Sequence, residues 1–172
     1  MVTGATWIGR SCITVTENLN QQPYPSDTPL IDTNVFCYLF DAREPRKSAI
    51  SRALLARCFR LECRYSVSVQ NLAEFSVVMT EKITTPAPYA LIRQFISDIA
   101  RFDGWKILQY GVDSVLAAQD LQADYSLHFW DALLAATMKE HRIDTIYSED
   151  DHFKKIPWLK TINPYIVRKG SE

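Results

Sequence analysis

Two kinds of apolar pattern alternate along most of this chain. Short apolar runs predict strands near residues 28–32, 65–69, 105–108, 145–147 and 159–162. Between them, apolar residues recur at helical spacing and predict helices near residues 35–40, 46–59, 69–82, 88–103, 112–125 and 129–141. Strands that alternate with helices are typical of parallel sheets joined by crossover helices. We therefore predict an α/β domain with three layers, α/β/α, around a four- or five-stranded parallel sheet.

The two ends of the chain lack this pattern. Residues 1–27 contain Gly, Pro, Asn, Gln and Ser at short intervals, and their apolar residues follow no clear period. We predict that this segment is a poorly ordered or non-native extension, that residues 28–167 form the folded domain, and that residues 168–172 are a short tail. A single domain of this size can bury a substantial core.

Composition narrows the class of protein without identifying a ligand. The chain has 172 residues, 47% of them apolar and 23% charged, which is ordinary for a globular protein. The formal net charge of −1 argues against a protein that binds long nucleic-acid duplexes by neutralising their phosphates, because proteins of that kind are usually basic. No apolar run approaches the roughly 20 residues that span a bilayer. The four cysteines show no paired metal spacing, so we expect a reducing, cytoplasmic setting without membrane contact.

Four acidic residues fall where this fold can bring them together. Asp32 and Asp150 follow predicted strands, and the carboxyl ends of parallel strands meet at one edge of a sheet. Glu74 lies in the helix that leaves the second strand, and Asp131 lies in the first turn of the last helix. Each has a structural alternative: a helix cap for Asp32, a favourable helix dipole for Asp131, a turn for Asp150 and a solvated position for Glu74. Taken together, however, the four acids indicate a functional site.

A cluster of carboxylates predicts a bound cation. Carboxylates in one cleft repel each other, a divalent ion relieves that repulsion, and oxygen ligands select Mg²⁺ or Mn²⁺. The chain has no cysteine pair for a softer metal, and His128, His141 and His152 show no ligand spacing. Residue counts leave a Ser-His-Asp triad open, but G-x-S-x-G, Walker and G-x-G-x-x-G motifs are absent. A metal held by carboxylates activates water and stabilises phosphoryl charge, so the cluster predicts phosphodiester hydrolysis.

Four motifs resemble those of PIN-domain ribonucleases, and specifically those of the VapC-type toxins of bacterial and archaeal toxin–antitoxin pairs. They are IDTNVFCYLFD at the first strand, SVSVQNLAEF around Glu74, SLHFWDALLAATM around Asp131 and IYSEDDHF around Asp150. Each motif is weak alone, whereas four in this order and spacing over residues 30–162 are specific. The resemblance implies the compact PIN α/β/α sandwich. The long stretch before Asp32 departs from the family, whose members usually begin a few residues ahead of that strand.

The resemblance also implies roles for individual residues. The implied catalytic acids are Asp32, Glu74, Asp131 and Asp150. Three of these are the implied metal ligands: Asp32, Asp131 and Asp150. Supporting positions are occupied by Thr33, Asn34, Ser148 and Asp151, the last a neighbouring acid that can compensate for Asp150.

Contacts to nucleic acid are harder to predict, because no basic stripe is present. Arg46 and Lys154 follow the first and last motifs, and we choose them for phosphate contacts that set affinity rather than sequence. Tyr38, Phe40 and Trp130 offer rings for base stacking. Their apolar surroundings make core packing the stronger interpretation.

The implied activity is Mg²⁺- or Mn²⁺-dependent cleavage of single-stranded or loop RNA, in tRNA, rRNA or mRNA. The implied partners are a second copy of the chain and a cognate VapB-like antitoxin, for which the apolar helices between residues 49 and 102 offer surface. The main alternative is a catalytically silent PIN-like module that binds RNA or antitoxin. A dehalogenase-type phosphatase would need D-x-D after the first strand, where this chain has Asn34 two residues after Asp32, and a receiver-domain pattern does not fit.

Overall fold

The computed structural model of the protein describes residues 28–83 and 85–166. The strands in this part of the chain are β1 (Leu30–Ile31), β2 (Tyr65–Ser68), β3 (Trp105–Leu108), β4 (Thr145–Tyr147) and β5 (Lys160–Ile162). The α-helices are α1 (Thr33–Tyr38), α2 (Pro45–Phe59), α3 (Val69–Val77), α4 (Tyr89–Arg101), α5 (Val112–Tyr125) and α6 (Phe129–Glu140). A π-helical turn (Val78–Lys82) extends α3, and a 3₁₀ turn (Asp151–Lys155) follows β4.

The strands form one parallel sheet in the order β3-β2-β1-β4-β5. Leu30 of β1 pairs with Ser66 of β2 on one side and with Ile146 of β4 on the other. The chain therefore builds outward from β1 in one direction and later returns to its opposite side. Such a reversal opens a crevice at the carboxyl ends of the central strands. Asp32 directly follows β1 at that point.

The two faces of the sheet carry separate cores. Leu30 and Ile146 pack with α5 and α6 on one face. Ile31 and Val67 pack with α1 to α4 on the other. Because successive side chains of a strand point to opposite faces, the two residues of β1 each contribute to one core. The protein is a three-layer α/β/α sandwich, as the hydrophobic pattern predicted.

Most predicted elements agree with the structure. α5 and β4 coincide with the predicted residues 112–125 and 145–147. Ser68 caps α3, because its Oγ accepts a hydrogen bond from the Gln70 backbone N–H at 3.1 Å. The first strand is shorter than predicted, since Asp32 already caps α1. Val69 begins α3 rather than ending β2.

The predicted helix over residues 69–82 ends in the π-helical turn, and the 3₁₀ turn has no counterpart among the predicted elements. The predicted extension (residues 1–27) and tail (residues 168–172) lie outside the described residues, as does residue 167. Over the described ranges, no helix combines the length and the apolar character needed to cross a membrane.

Candidate active site

Asp32 is the most buried of the four predicted acids, with 9% of its surface exposed. Its Oδ1 accepts a hydrogen bond from the Thr33 backbone N–H at 2.7 Å, the bond that caps α1. Its Oδ2 accepts hydrogen bonds from Asn34 Nδ2 at 2.7 Å and from Ser148 Oγ at 2.6 Å. Asn71 Nδ2 approaches Oδ1 at 3.5 Å. Asp32 is therefore a helix cap and, at the same time, the centre of a polar network.

The surroundings of Asp32 make its ionisation costly. Burial raises the pKa of this carboxyl to about 6. Hydrogen bonds from Ser148 and from the Thr33 backbone lower the pKa, while the charges of Glu74 and Asp150 raise it. A cation placed beside such a carboxylate would stabilise its ionised form.

Glu74 is held from two sides. Thr33 Oγ1 donates a hydrogen bond to its Oε2 at 2.9 Å, and Gln70 Nε2 donates one to its Oε1 at 2.9 Å. The same Gln70 amide donates to the carbonyl of Trp130, at the start of α6, at 2.9 Å. Asn71 Nδ2 donates to Thr33 Oγ1 at 3.0 Å. These bonds join the end of β1, the first turns of α3 and the start of α6.

Asp131 and Asp150 both lie next to an imidazole. His152 Nδ1 is 3.4 Å from Asp131 Oδ2 and 3.3 Å from Asp150 Oδ1. The Asp150 backbone N–H donates to Ser148 Oγ at 2.9 Å, which ties this loop to Asp32. Burial, together with the charge of Asp150, raises the pKa of Asp131.

All four acids line one pocket of about 600 Å³. Its wall continues along α1 and onto the π-helical turn, with side chains that include Cys37, Phe40, Arg43, Val78 and Met79. Asp131, Asp150 and His152 offer ligand atoms that lie within 4.8 Å of one another. Carboxylate oxygens are the ligands that Mg²⁺ and Mn²⁺ prefer. The donor set therefore fits a divalent cation.

A comparison with protein families decides the relationship. The PIN domain model matches residues 30–159. The chain belongs to the PIN domain family. The PIN fold implied by the sequence motifs is thereby confirmed. A comparison with curated protein sequences finds no match.

Solved structures share the fold of this PIN domain at low sequence identity. A toxin–antitoxin complex from Klebsiella pneumoniae aligns with a TM-score of 0.55 and 20% identity, over 81% of this chain and 100% of that chain. VapC20 of Mycobacterium tuberculosis, a toxin that cleaves the sarcin–ricin loop, aligns with a TM-score of 0.59 and 16% identity, over 77% and 98%. VapBC2 of Rickettsia felis, bound to a promoter DNA fragment, aligns with a TM-score of 0.55 and 15% identity, over 79% and 98%.

Some residues predicted to act at the site of this PIN domain have other partners. Asp151 is largely exposed and forms an ion pair with Lys154 Nζ at 2.5 Å. Arg46 donates a hydrogen bond to the backbone carbonyl of Tyr165 at 2.9 Å. These three are not among the described residues that line the pocket, whereas Arg43 is. Asp41 binds the Arg43 guanidinium through two hydrogen bonds, of 2.9 and 3.0 Å.

The three candidate stacking residues differ in their surroundings. Phe40 packs against the rings of Phe75 and Phe95, as expected for a core residue. Tyr38 lines the pocket, and its hydroxyl donates to the neighbouring acid Glu149 at 2.5 Å. Trp130 is 58% exposed beside Asp131. Of the three residues, Trp130 is the most exposed.

Sequence reasoning missed three residues of this site. Gln70 and Asn71 stand in the motif around Glu74, and helical spacing places Gln70, four residues earlier, on the same face. This spacing is a signal that could have revealed Gln70. His152 shows no metal-ligand spacing in the sequence, because its partner Asp131 belongs to a different element, α6. Spacing along the chain carries no information about such a contact.

Proposed function

We propose that this PIN domain is a divalent-cation-dependent endoribonuclease and the toxin of a VapC-type toxin–antitoxin pair. One observation carries the proposal: four carboxylates from four places in the fold line a single pocket. Asp32 and Asp150 come from the loops after β1 and β4, Glu74 from α3 and Asp131 from α6. Ionised groups of one sign repel each other. A PIN domain that held no cation would gain nothing from keeping them together.

Asp32, Asp131 and Asp150 are the proposed ligands of Mg²⁺ or Mn²⁺. Such an ion, when bound, lowers the pKa of a coordinated water and stabilises charge that develops on phosphoryl oxygens. The chain itself holds the ligand oxygens in place before an ion binds. Asn34 and Ser148 hold one Asp32 oxygen, and the Thr33 backbone holds the other. A preorganised carboxylate costs little reorganisation during the reaction.

Glu74 is the proposed residue that positions the attacking water. Thr33 and Gln70 each donate to one of its oxygens, and each oxygen keeps a lone pair that can accept a hydrogen bond from water. Water attacks phosphorus while the P–O bond on the opposite side breaks. Glu74 accepts the proton that the water loses, and the departing ribose oxygen takes a proton from solvent to become a hydroxyl. Glu74 therefore takes part in proton transfer and does more than add negative charge to the site.

RNA is the proposed substrate, through the resemblance of the motifs to VapC-type toxins. The net charge of −1 favours a short single-stranded or looped segment of tRNA, rRNA or mRNA over a long duplex. Arg46 and Lys154 remain proposed phosphate contacts, and Arg43 joins them because it lines the pocket. The exposed ring of Trp130 is available for base stacking.

A VapB-like antitoxin and a second copy of the chain are the proposed partners, in the cytoplasm. Support comes from the toxin–antitoxin complexes among the structures of similar fold. A groove of about 630 Å³ along α2 is lined by small apolar side chains, among them Ala49, Ala53 and Ala56, and by charged ones such as Arg52 and Arg60. Tyr89 and Leu91 on α4 are exposed apolar residues. Apolar surfaces of this kind are typical of protein interfaces.

The first test is cleavage of a mixed tRNA and rRNA pool by purified, antitoxin-free protein with Mg²⁺ or Mn²⁺. The parent protein is compared with Asp32→Asn, which loses the charge and nearly keeps the shape. Asp131→Asn is a second variant, because its more exposed side chain tolerates an amide more easily. Asp120→Asn, an exposed acid on α5, is the matched control.

We expect specific cuts by the parent and by Asp120→Asn, and none by either active-site variant or with EDTA. Equal cleavage by the parent and Asp32→Asn would reveal a contaminating nuclease and contradict the proposal. No specific cleavage by any of these proteins would favour the silent binding module.

A further inference from the structure

His152 occupies a position that the four-acid pattern does not account for. Its Nδ1 lies within 3.4 Å of one carboxylate oxygen of Asp131 and one of Asp150. About half of its side chain is exposed. The ring therefore reaches the acids from the solvent side and completes a group of three ligand atoms within 4.8 Å of one another.

The backbone of His152 is tied to one of the two acids that its ring approaches. The His152 backbone N–H donates to Asp150 Oδ1 at 2.8 Å, so that Asp150 caps the 3₁₀ turn in which His152 is the second residue. His128, just before α6, places its ring 5.8 Å from the His152 ring. The capping bond places the backbone of His152 beside Asp150, and the His128 ring is a neighbour of the imidazole.

A ring nitrogen this close to two carboxylate oxygens needs either a proton or a metal ion between it and them. In one neutral tautomer Nδ1 carries a hydrogen and donates it to a carboxylate. In the other tautomer the lone pair of Nδ1 points at the same oxygens, and a cation is what makes three acceptors compatible. The same geometry therefore serves a hydrogen bond without metal and a ligand bond with it.

We propose that His152 Nδ1 is a metal ligand together with Asp131 and Asp150, and that it makes the site prefer Mn²⁺ to Mg²⁺. This inference rests on the proposed function of the site. Mg²⁺ is a hard cation that binds oxygen, whereas imidazole nitrogen suits transition metals. A nitrogen ligand among carboxylates therefore adds affinity for Mn²⁺ and little for Mg²⁺.

Pulsed electron paramagnetic resonance of Mn²⁺ bound to the full chain tests this ligand directly. A coordinated imidazole couples its ¹⁴N nucleus to the manganese spin, and labelling histidine with ¹⁵N changes the coupling in a known way. We expect this coupling in the parent and in His141→Gln, a matched control whose imidazole bonds the Gln109 carbonyl instead. We expect no coupling in His152→Ala.

Affinities measured by calorimetry with MnCl₂ and MgCl₂ supply a second readout. In His152→Ala we expect Mn²⁺ affinity to fall by about tenfold or more. We expect Mg²⁺ affinity to stay within about twofold of the parent, because the oxygen ligands remain.

The outcomes separate this inference from the proposed function. Bound Mn²⁺ without histidine coupling in the parent would overturn the role of His152 and leave a carboxylate metal site intact. Equal losses of Mn²⁺ and Mg²⁺ affinity in His152→Ala would overturn the preference for Mn²⁺. A parent that binds neither ion would overturn both. The coupling in the parent needs no variant, so the test does not depend on the folding of His152→Ala.

Discussion

The site has two halves that are built differently. The bonded half surrounds Asp32 and Glu74, whose four carboxylate oxygens all accept hydrogen bonds from the chain. The open half consists of Asp131, Asp150 and His152, each more exposed than Asp32, with His152 Nδ1 3.4 Å from an Asp131 oxygen and 3.3 Å from an Asp150 oxygen. Folding alone determines the geometry of the bonded half. The open half brings together groups that a cation would hold more firmly.

Under the proposed function, this difference would let one pocket be both preformed and dependent on a bound cation. The buried, hydrogen-bonded carboxylate of Asp32 would provide fixed ligand atoms before an ion binds. Partly exposed carboxylates let the ion and its waters enter and exchange. We therefore expect substitutions that remove a hydrogen-bonding side chain from around Asp32 and Glu74 to lower the stability of the fold. Substitutions in the open half should lower cation binding and leave the fold intact.

The pH dependence of the bonded half has the largest expected effect. The ordinary pKa of 3.8 for Asp32 becomes about 6 in the folded protein. Between these values the folded state keeps a proton that the unfolded state has lost, so this group's stabilisation is complete below pH 4. It is lost as pH rises through 6, by on the order of 2–3 kcal/mol. The measurement is the free energy of unfolding of metal-free protein between pH 4 and 8, relative to Asp32→Asn.

Saturating Mn²⁺ should reverse the direction of this dependence, because a metal ligand must be ionised to bind. A difference between the parent and Asp32→Asn that is independent of pH would contradict the assignment to Asp32.

Ser148→Ala should destabilise the fold by about 2 kcal/mol. Its fully buried hydroxyl donates to Asp32 and accepts from the Asp150 backbone, so the variant leaves both groups short of a partner. The measurement is urea unfolding. Ser48→Ala is the control, because within the part of the chain that the structure describes the Ser48 hydroxyl makes a single, long hydrogen bond of 3.4 Å. Equal losses of unfolding free energy in the two variants would show that the hydrogen bonds of Ser148 stabilise the fold no more than the single long bond of Ser48.

Thr33→Val should destabilise the fold by about 1 kcal/mol and lower the cleavage rate. Valine keeps the shape but removes the hydroxyl that donates to Glu74 and accepts from Asn71. Thr145→Val is the matched control, since the Thr145 hydroxyl bonds only its exposed neighbour Asp144 among the contacts described. A Thr33→Val variant with parental stability and rate would remove Thr33 from the bonded half.

Asp131→Asn should change the free energy of unfolding by less than about 1 kcal/mol, in the stabilising direction. Burial and Asp150 raise the pKa of Asp131, which means that its charge opposes folding, and asparagine removes that charge. The same variant should bind Mn²⁺ much more weakly in calorimetry. A clear loss of stability would show that the open half also supports the fold.

The sequence was sufficient for the architecture because strands and helices alternate with different apolar periods. It also predicted that Asp32 and Asp150 would meet, since carboxyl ends of parallel strands share an edge. It could not predict the contact of His152 with Asp131, which depends on how α6 packs beside the 3₁₀ turn. The partners of Arg46 were equally hidden, because a long exposed side chain takes its contacts from the tertiary structure rather than from local sequence.

The most direct test of the account is cleavage of RNA in water labelled with ¹⁸O, followed by mass spectrometry of the new ends. If the carboxylate site activates water, each new phosphate carries one ¹⁸O atom and no 2′,3′-cyclic phosphate forms. These products should disappear in Asp32→Asn and Asp131→Asn. Cyclic phosphate ends would contradict the account, because they would show that the RNA 2′-hydroxyl, and not a water held by this site, attacks phosphorus.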